Sequence, residues 1–116
     1  MKIKEVTQNY IMFENGKKIE CDLDQESGVE NYADFEQLDD IARVTDFDYD
    51  RLEFESYVYG FRFGNKPEKM FFIPCYSEQN GYYTPYVDIL FDGEIRAIAQ
   101  GEIEYWTKSP MWVETK

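Results

Sequence analysis

The chain has 116 residues, 43% of them hydrophobic and 18% aromatic, with 24 acidic and 12 basic side chains, no histidine and a net charge of −12. That length suits one domain, that apolar content is too high for a disordered acidic chain, and no apolar run approaches the roughly 18 residues of a membrane helix. Without histidine the Ser-His-Asp and Cys-His nucleophile systems and the common zinc sites are closed, so neither catalysis nor a metal or other cofactor is expected.

The N-terminal stretch Met1-Lys2-Ile3-Lys4-Glu5 has no apolar core of a secretory signal, which points to a cytoplasmic location. Tyr10-Ile11-Met12-Phe13 and Lys18-Ile19-Glu20-Cys21 flank Glu14-Asn15-Gly16-Lys17. Asn-Gly tolerates the positive φ of a type I′ turn, so the segment reads as a β-hairpin. Residues 22–30 mix acids with Ser27-Gly28 without a period and read as a loop. From there Tyr32, Phe35, Leu38, Ile41 and Ala42 recur at helical spacing, while Asp34, Glu36, Asp39 and Asp40 fall largely elsewhere. With Asn31 as N-cap and Asp34 near the positive end, the spacing predicts a helix over about 31–43.

Asp46-Phe47-Asp48-Tyr49-Asp50 and Arg51-Leu52-Glu53-Phe54-Glu55 alternate acid with apolar residue, the period of a half-buried strand, with a slip at Asp50-Arg51 that calls for a turn or bulge. Further strands are predicted at Ser56 to Phe63, Lys69 to Ile73 and Tyr82 to Phe91, where Pro85 marks an edge or a bulge. Asp92-Gly93 is a second hairpin turn leading into Glu94 to Ala99, and Gly101 to Trp106 adds a last strand. The tail Thr107 to Lys116 has no period, though Met111 and Trp112 are suited to dock on a neighbour. The expected architecture is a single α+β domain over residues 1–116, an antiparallel sheet of about five or six strands with one helix packed across it.

Charge is segregated along this chain. Residues 20–55 carry fourteen acids against two bases, and the rest of the chain holds ten of each. A one-signed region builds a directional field, so the expected partner is a basic protein, while direct binding of nucleic acid is disfavoured by the phosphates. Asp46-x-Asp48-x-Asp50 resembles the start of a calcium loop, but Arg51 and Tyr57 stand where that loop needs Gly and a bidentate Glu. Carboxylates two apart on a strand are spaced about 6.7 Å, comparable to successive phosphates. Glu36, Asp39, Asp40, Asp46, Asp48, Asp50, Glu53 and Glu55 are therefore the candidate partner-binding residues of a surface that imitates nucleic acid.

A second candidate lies in Ile73 to Tyr83, where Cys75, Tyr76, Ser77, Gln79, Asn80 and Tyr82 offer aromatic faces, amides and a hydroxyl around one turn. That mixture holds bases and sugars, so the alternative reading is a non-catalytic sponge for a signalling nucleotide. Cys21 and Cys75 are read as reduced thiols with nothing nearby to activate them.

Tyr32-Ala33-Asp34-Phe35, Gly60-Phe61-Arg62-Phe63 and Ile73-Pro74-Cys75-Tyr76-Ser77-Glu78-Gln79-Asn80-Gly81-Tyr82-Tyr83 resemble a small, uncharacterised family of phage and prophage proteins over roughly residues 10–92. Members of that family carry a His and adjacent cysteines ahead of the first motif, where this chain reads Leu23-Asp24-Gln25-Glu26-Ser27-Gly28-Val29. The resemblance implies a phage accessory protein acting in a bacterial host cell, such as a counter-defence inhibitor of anti-CRISPR type. Joined to the acidic surface, it makes a basic cleft of a Cas9-type effector nuclease the expected target. A phage structural or assembly protein is the third reading.

Overall fold

Apolar residues at every second position dominate this chain, and strands take 57% of the described residues against 10% in helical turns. The computed structural model describes residues 1–22 and 28–105. Among them are ten strands: β1 (Ile3–Val6), β2 (Tyr10–Phe13), β3 (Lys18–Cys21), β4 (Val29–Ala33), β5 (Glu53–Tyr57), β6 (Gly60–Asn65), β7 (Lys69–Gln79), β8 (Tyr86–Phe91), β9 (Glu94–Gln100) and β10 (Glu102–Tyr105). The first sheet has the order β1-β2-β3-β8-β9, and the second runs β10-β7-β6-β5 with β4 also paired to β7. Neighbours are antiparallel except β7 and β10, which are parallel.

β7 is the spine of the second sheet. Its first half, Lys69 to Pro74, pairs with β6. Its second half is flanked by both β4 and β10. The sheets are tied where Val58 bridges to Gln100 and where the Arg96 guanidinium donates to the Leu52 carbonyl at 3.0 Å.

One core lies between the sheets. Ile11, Phe13, Ile19, Val87, Ile89 and Phe91 face Phe61, Phe63 and Ile73, and all are buried. Phe47 joins the two sides: its ring meets Phe13 of the first sheet at 6.0 Å and Phe63 and Phe71 of the second at 5.7 and 5.8 Å. Each such phenylalanine contributes roughly 1.5–3 kcal/mol by leaving water.

The structure overturns the α+β expectation. Residues 29–33 are not helical: they form β4, with Asn31 opposite Ser77 in the ladder rather than capping a helix. A 3-10 turn at Phe35–Gln37 follows, then a single α-helical turn, α1 (Asp40–Arg43), where the Asp39 carboxylate accepts from the Ile41 N–H at 2.9 Å. Phe35, Leu38 and Ala42 are buried, as their spacing suggests, but Ile41 is 63% exposed. An isolated helix of about a dozen residues is only marginal, so pairing with the open edge of β7 outweighs it.

The acid-apolar alternation at 46–55 also misleads in part. Asp46 to Asp48 is a loop, Tyr49–Arg51 a 3-10 turn where the phase slip called for one, and strand structure begins only at Glu53. Phe47 and Leu52 alternate with acids because a loop inserts them into the core. Asn65 holds that loop, accepting from the Asp48 N–H at 2.7 Å and donating to the Asp48 and Arg51 carbonyls at 3.1 Å.

Both expected hairpins are present, with one change of turn. In β2–β3 Gly16 has φ 86° while Asn15 does not adopt positive φ, and Phe13 exchanges hydrogen bonds with Gly16 and Lys17. This is a three-residue loop closed by a glycine bulge, not type I′. In β8–β9 both Asp92 (φ 53°) and Gly93 (φ 83°) are left-handed, as type I′ requires. The strand predicted at 82–91 begins after Pro85, and the one predicted at 69–73 continues through Pro74 to Gln79. Most of the acidic loop before β4, Trp106, and the tail with Met111 and Trp112 lie outside the described residues. No helix among the described residues is long and apolar enough to cross a membrane.

Candidate functional site

Side chains alternate along β7, so Cys75, Ser77 and Gln79 point into the core while Tyr76 and Glu78 point out. Register then decides what stands beside them. Glu30 of β4 and Glu104 of β10 lie opposite Glu78, and Tyr32 and Glu102 lie opposite Tyr76. Three adjacent strands therefore carry a row of three glutamates, next to a row of two tyrosines and a fourth glutamate, on one face. Directly opposed side chains have Cβ atoms about 4.5–5.5 Å apart, and like charges there are destabilising. Among the described residues none of these four glutamates has a Lys or Arg within ion-pair distance.

The tyrosines are fixed in place. The Tyr32 hydroxyl donates to Glu78 Oε2 at 2.8 Å, and its ring lies 5.7 Å from that of Tyr76. Gln37 donates to the Tyr76 hydroxyl at 3.1 Å and to Asp34 Oδ2 at 2.8 Å. Burial, then the hydrogen bond and charge of Glu78, then the charges of Glu104 and Glu30, push the Tyr32 phenol well above its ordinary range. It stays a neutral donor that orients a carboxylate. Beside this face a cleft of about 350 Å³ is lined by Gln8, Asn9, Cys21, Glu30, Tyr32, Ala33, Asp34, Glu36 and Glu78, with four carboxylates and, among the described residues, no base. Carboxylates beside a tyrosine ring form a receptor for guanidinium or ammonium groups, through charge-assisted hydrogen bonds and cation–π contact.

The acids singled out by sequence are arranged differently. Asp40 pairs with Arg43 and Asp48 with Arg51, each at 3.6 Å, while Asp46 pairs with the N-terminal amine. Glu53 meets Lys66 at 3.4 Å, and Glu55 is held by both Lys66 and Arg62. These two bases, Lys66 first, bring the Glu55 carboxyl down to about 2. Asp39 caps α1, and Asp50 is exposed. Glu36 alone of the eight lines the acidic cleft. A larger cleft, about 640 Å³, includes Asp46, Asp48 and Glu53 but also Arg51, Lys66 and Lys69, so its charges offset one another.

The alternative ligand pocket does not converge. Cys75, Ser77 and Gln79 are buried on the inner face, and Tyr76 is on the outer one. Gln79 donates to Ser77 at 2.7 Å and accepts from the Tyr83 N–H at 3.0 Å. Asn80 accepts from the Tyr82 N–H at 3.3 Å, and Tyr82 is 85% exposed. The amides hold the turn. No group of three or more His, Cys, Asp or Glu among the described residues is placed to hold a metal ion.

Glu78, Glu102 and Glu104 escaped sequence reasoning because they sit in the part of the chain whose charge sums to zero. The available signal was a two-residue period, Glu30-x-Tyr32, Tyr76-x-Glu78 and Glu102-x-Glu104, which marks three strands with the same polar face. No protein-family model, curated protein or solved structure matches this chain.

Proposed function

We propose that the protein is a non-catalytic binding protein whose acidic, tyrosine-centred sheet face takes up arginine and lysine side chains of a basic partner protein. The observation that carries this reading is the row Glu30, Glu78 and Glu104, aligned across three strands with no Lys or Arg in ion-pair distance among the described residues. The fold bears repulsion that a single substitution would relieve, and a cationic partner turns that cost into attraction. Such a surface raises association rate and salt sensitivity more than bare affinity.

Arginine- and lysine-rich surfaces are commonest on proteins that bind nucleic acid, and an acidic face that covers one competes with the polynucleotide. The resemblance to phage proteins makes a counter-defence inhibitor of anti-CRISPR type the proposed context, with the basic cleft of a Cas9-type nuclease as its target in the bacterial host. Competition tests the reading: DNA binding by the nuclease is measured with and without this protein at increasing ionic strength. Inhibition at low salt that fades as salt rises supports it, and DNA binding unaltered at low salt refutes the target.

A further inference from the structure

Two thiols that sequence places far apart are both buried in one core. Cys21 ends β3 in the first sheet and Cys75 lies on β7 in the second, and both side chains enter the common core. They converge on Ala33. That residue is the cross-strand neighbour of Cys75, and it lines the acidic cleft together with Cys21. The thiols are unequal in access: Cys75 is fully buried, whereas Cys21 is 7% exposed and lines the acidic cleft.

From this arrangement we propose that hydrogen peroxide joins Cys21 and Cys75 in a disulfide between the two sheets, with Cys21 reacting first and Cys75 resolving. The Cys21 thiolate attacks one peroxide oxygen, the O–O bond breaks, and the released hydroxide takes up the thiol's proton and leaves as water. The Cys75 thiolate then attacks the sulfenic sulfur of Cys21, forming the S–S bond and breaking S–OH, and a second water carries off its proton. Two thiols lose two electrons, and one peroxide is reduced to two waters.

The order follows from the surroundings. Burial, with the Cys21 charge as a smaller cause, pushes the Cys75 thiol up to about 12, and that thiol has no opening to the cleft. Burial also raises Cys21, but the Ala33 N–H favours its thiolate. The bridge would fix β3 to β7 behind the acidic face, and its formation does not depend on which partner that face binds.

The test is to treat the folded protein with hydrogen peroxide, block remaining thiols with an alkylating agent, and read intact mass and disulfide-linked peptides. The expected product is a monomer that has lost two hydrogens, takes up no alkyl group, links the Cys21 and Cys75 peptides and reverts with reductant. Sulfinic acid on Cys21 beside an alkylated Cys75, or a dimer linked through Cys21, overturns the proposal. Cys75→Ala should stop at a sulfenic acid trapped by dimedone. Should that variant not fold, the wild type still decides: bridging must occur in the folded protein without denaturant, and bridging seen only in urea overturns the proposal.

Discussion

Glu30 of β4 stands directly opposite Glu78 of β7, on the outer face of the second sheet, with Glu104 of β10 on the far side of Glu78. Tyr32 donates to the middle glutamate, and the two outer ones are exposed to solvent. A surface built only for solubility gains nothing from such alignment.

The first consequence is a gain in stability on neutralising an outer member of the row. Glu30→Gln keeps the side chain's shape and should stabilise the fold by about 0.5 kcal/mol in urea denaturation. The gain should shrink at high ionic strength, because the repulsion it removes is screened. A loss of stability, or a gain indifferent to salt, would mean the three charges do not repel as their register implies.

Phe47 carries the second prediction. Its ring contacts both sheets, so Phe47→Ala should cost about 3–5 kcal/mol, a large part of a small domain's stability. Ile41 lies in the segment whose pattern suggests a helix, and it is exposed, so Ile41→Ala should stay within about 0.5 kcal/mol. Thermal melts of the two variants separate a loop-filled sandwich core from a helix packed on a sheet.

Acid sensitivity supplies the third. Lys66 and Arg62 hold the Glu55 carboxyl at about 2 against an ordinary 4.5. A depressed carboxyl stabilises the fold above its unfolded value, and that contribution is lost as pH falls from about 4.5 towards 2. Urea midpoints over that window should fall more steeply in the wild type than in Glu55→Gln. Parallel curves would show that the ion pairs do not form in solution.

Strand-level features were legible where local chemistry decides them. Asp92-Gly93 dictates its turn, and the phase slip at Asp50-Arg51 marks the 3-10 turn before β5. The region 29–43 was not legible, because Tyr32, Phe35, Leu38 and Ala42 satisfy a helical period while burial is in fact settled by a strand, a 3-10 turn and one helical turn. What decides there is the unfilled edge of β7, a partner 42 to 50 residues away that local spacing does not contain. The site failed to show for the same reason. Runs of acids drew attention to 46–55, where folding supplies Arg51, Arg62 and Lys66 as counter-charges, while the glutamate row, unpaired among the described residues, is assembled from three strands that the chain keeps apart.

The most direct measurement is equilibrium binding of a Cas9-type nuclease, across ionic strength, by the wild type and two triple variants. Glu30→Gln, Glu78→Gln and Glu104→Gln together remove the three charges of the glutamate row, whereas Asp46→Asn, Asp48→Asn and Asp50→Asn remove acids of the segment before β5. The sheet-face variant should lose at least tenfold in affinity at low salt and converge with the wild type at high salt, and the loop variant should bind nearly as the wild type does. Full affinity in the sheet-face variant, with the loss appearing in the loop variant, would contradict the assignment.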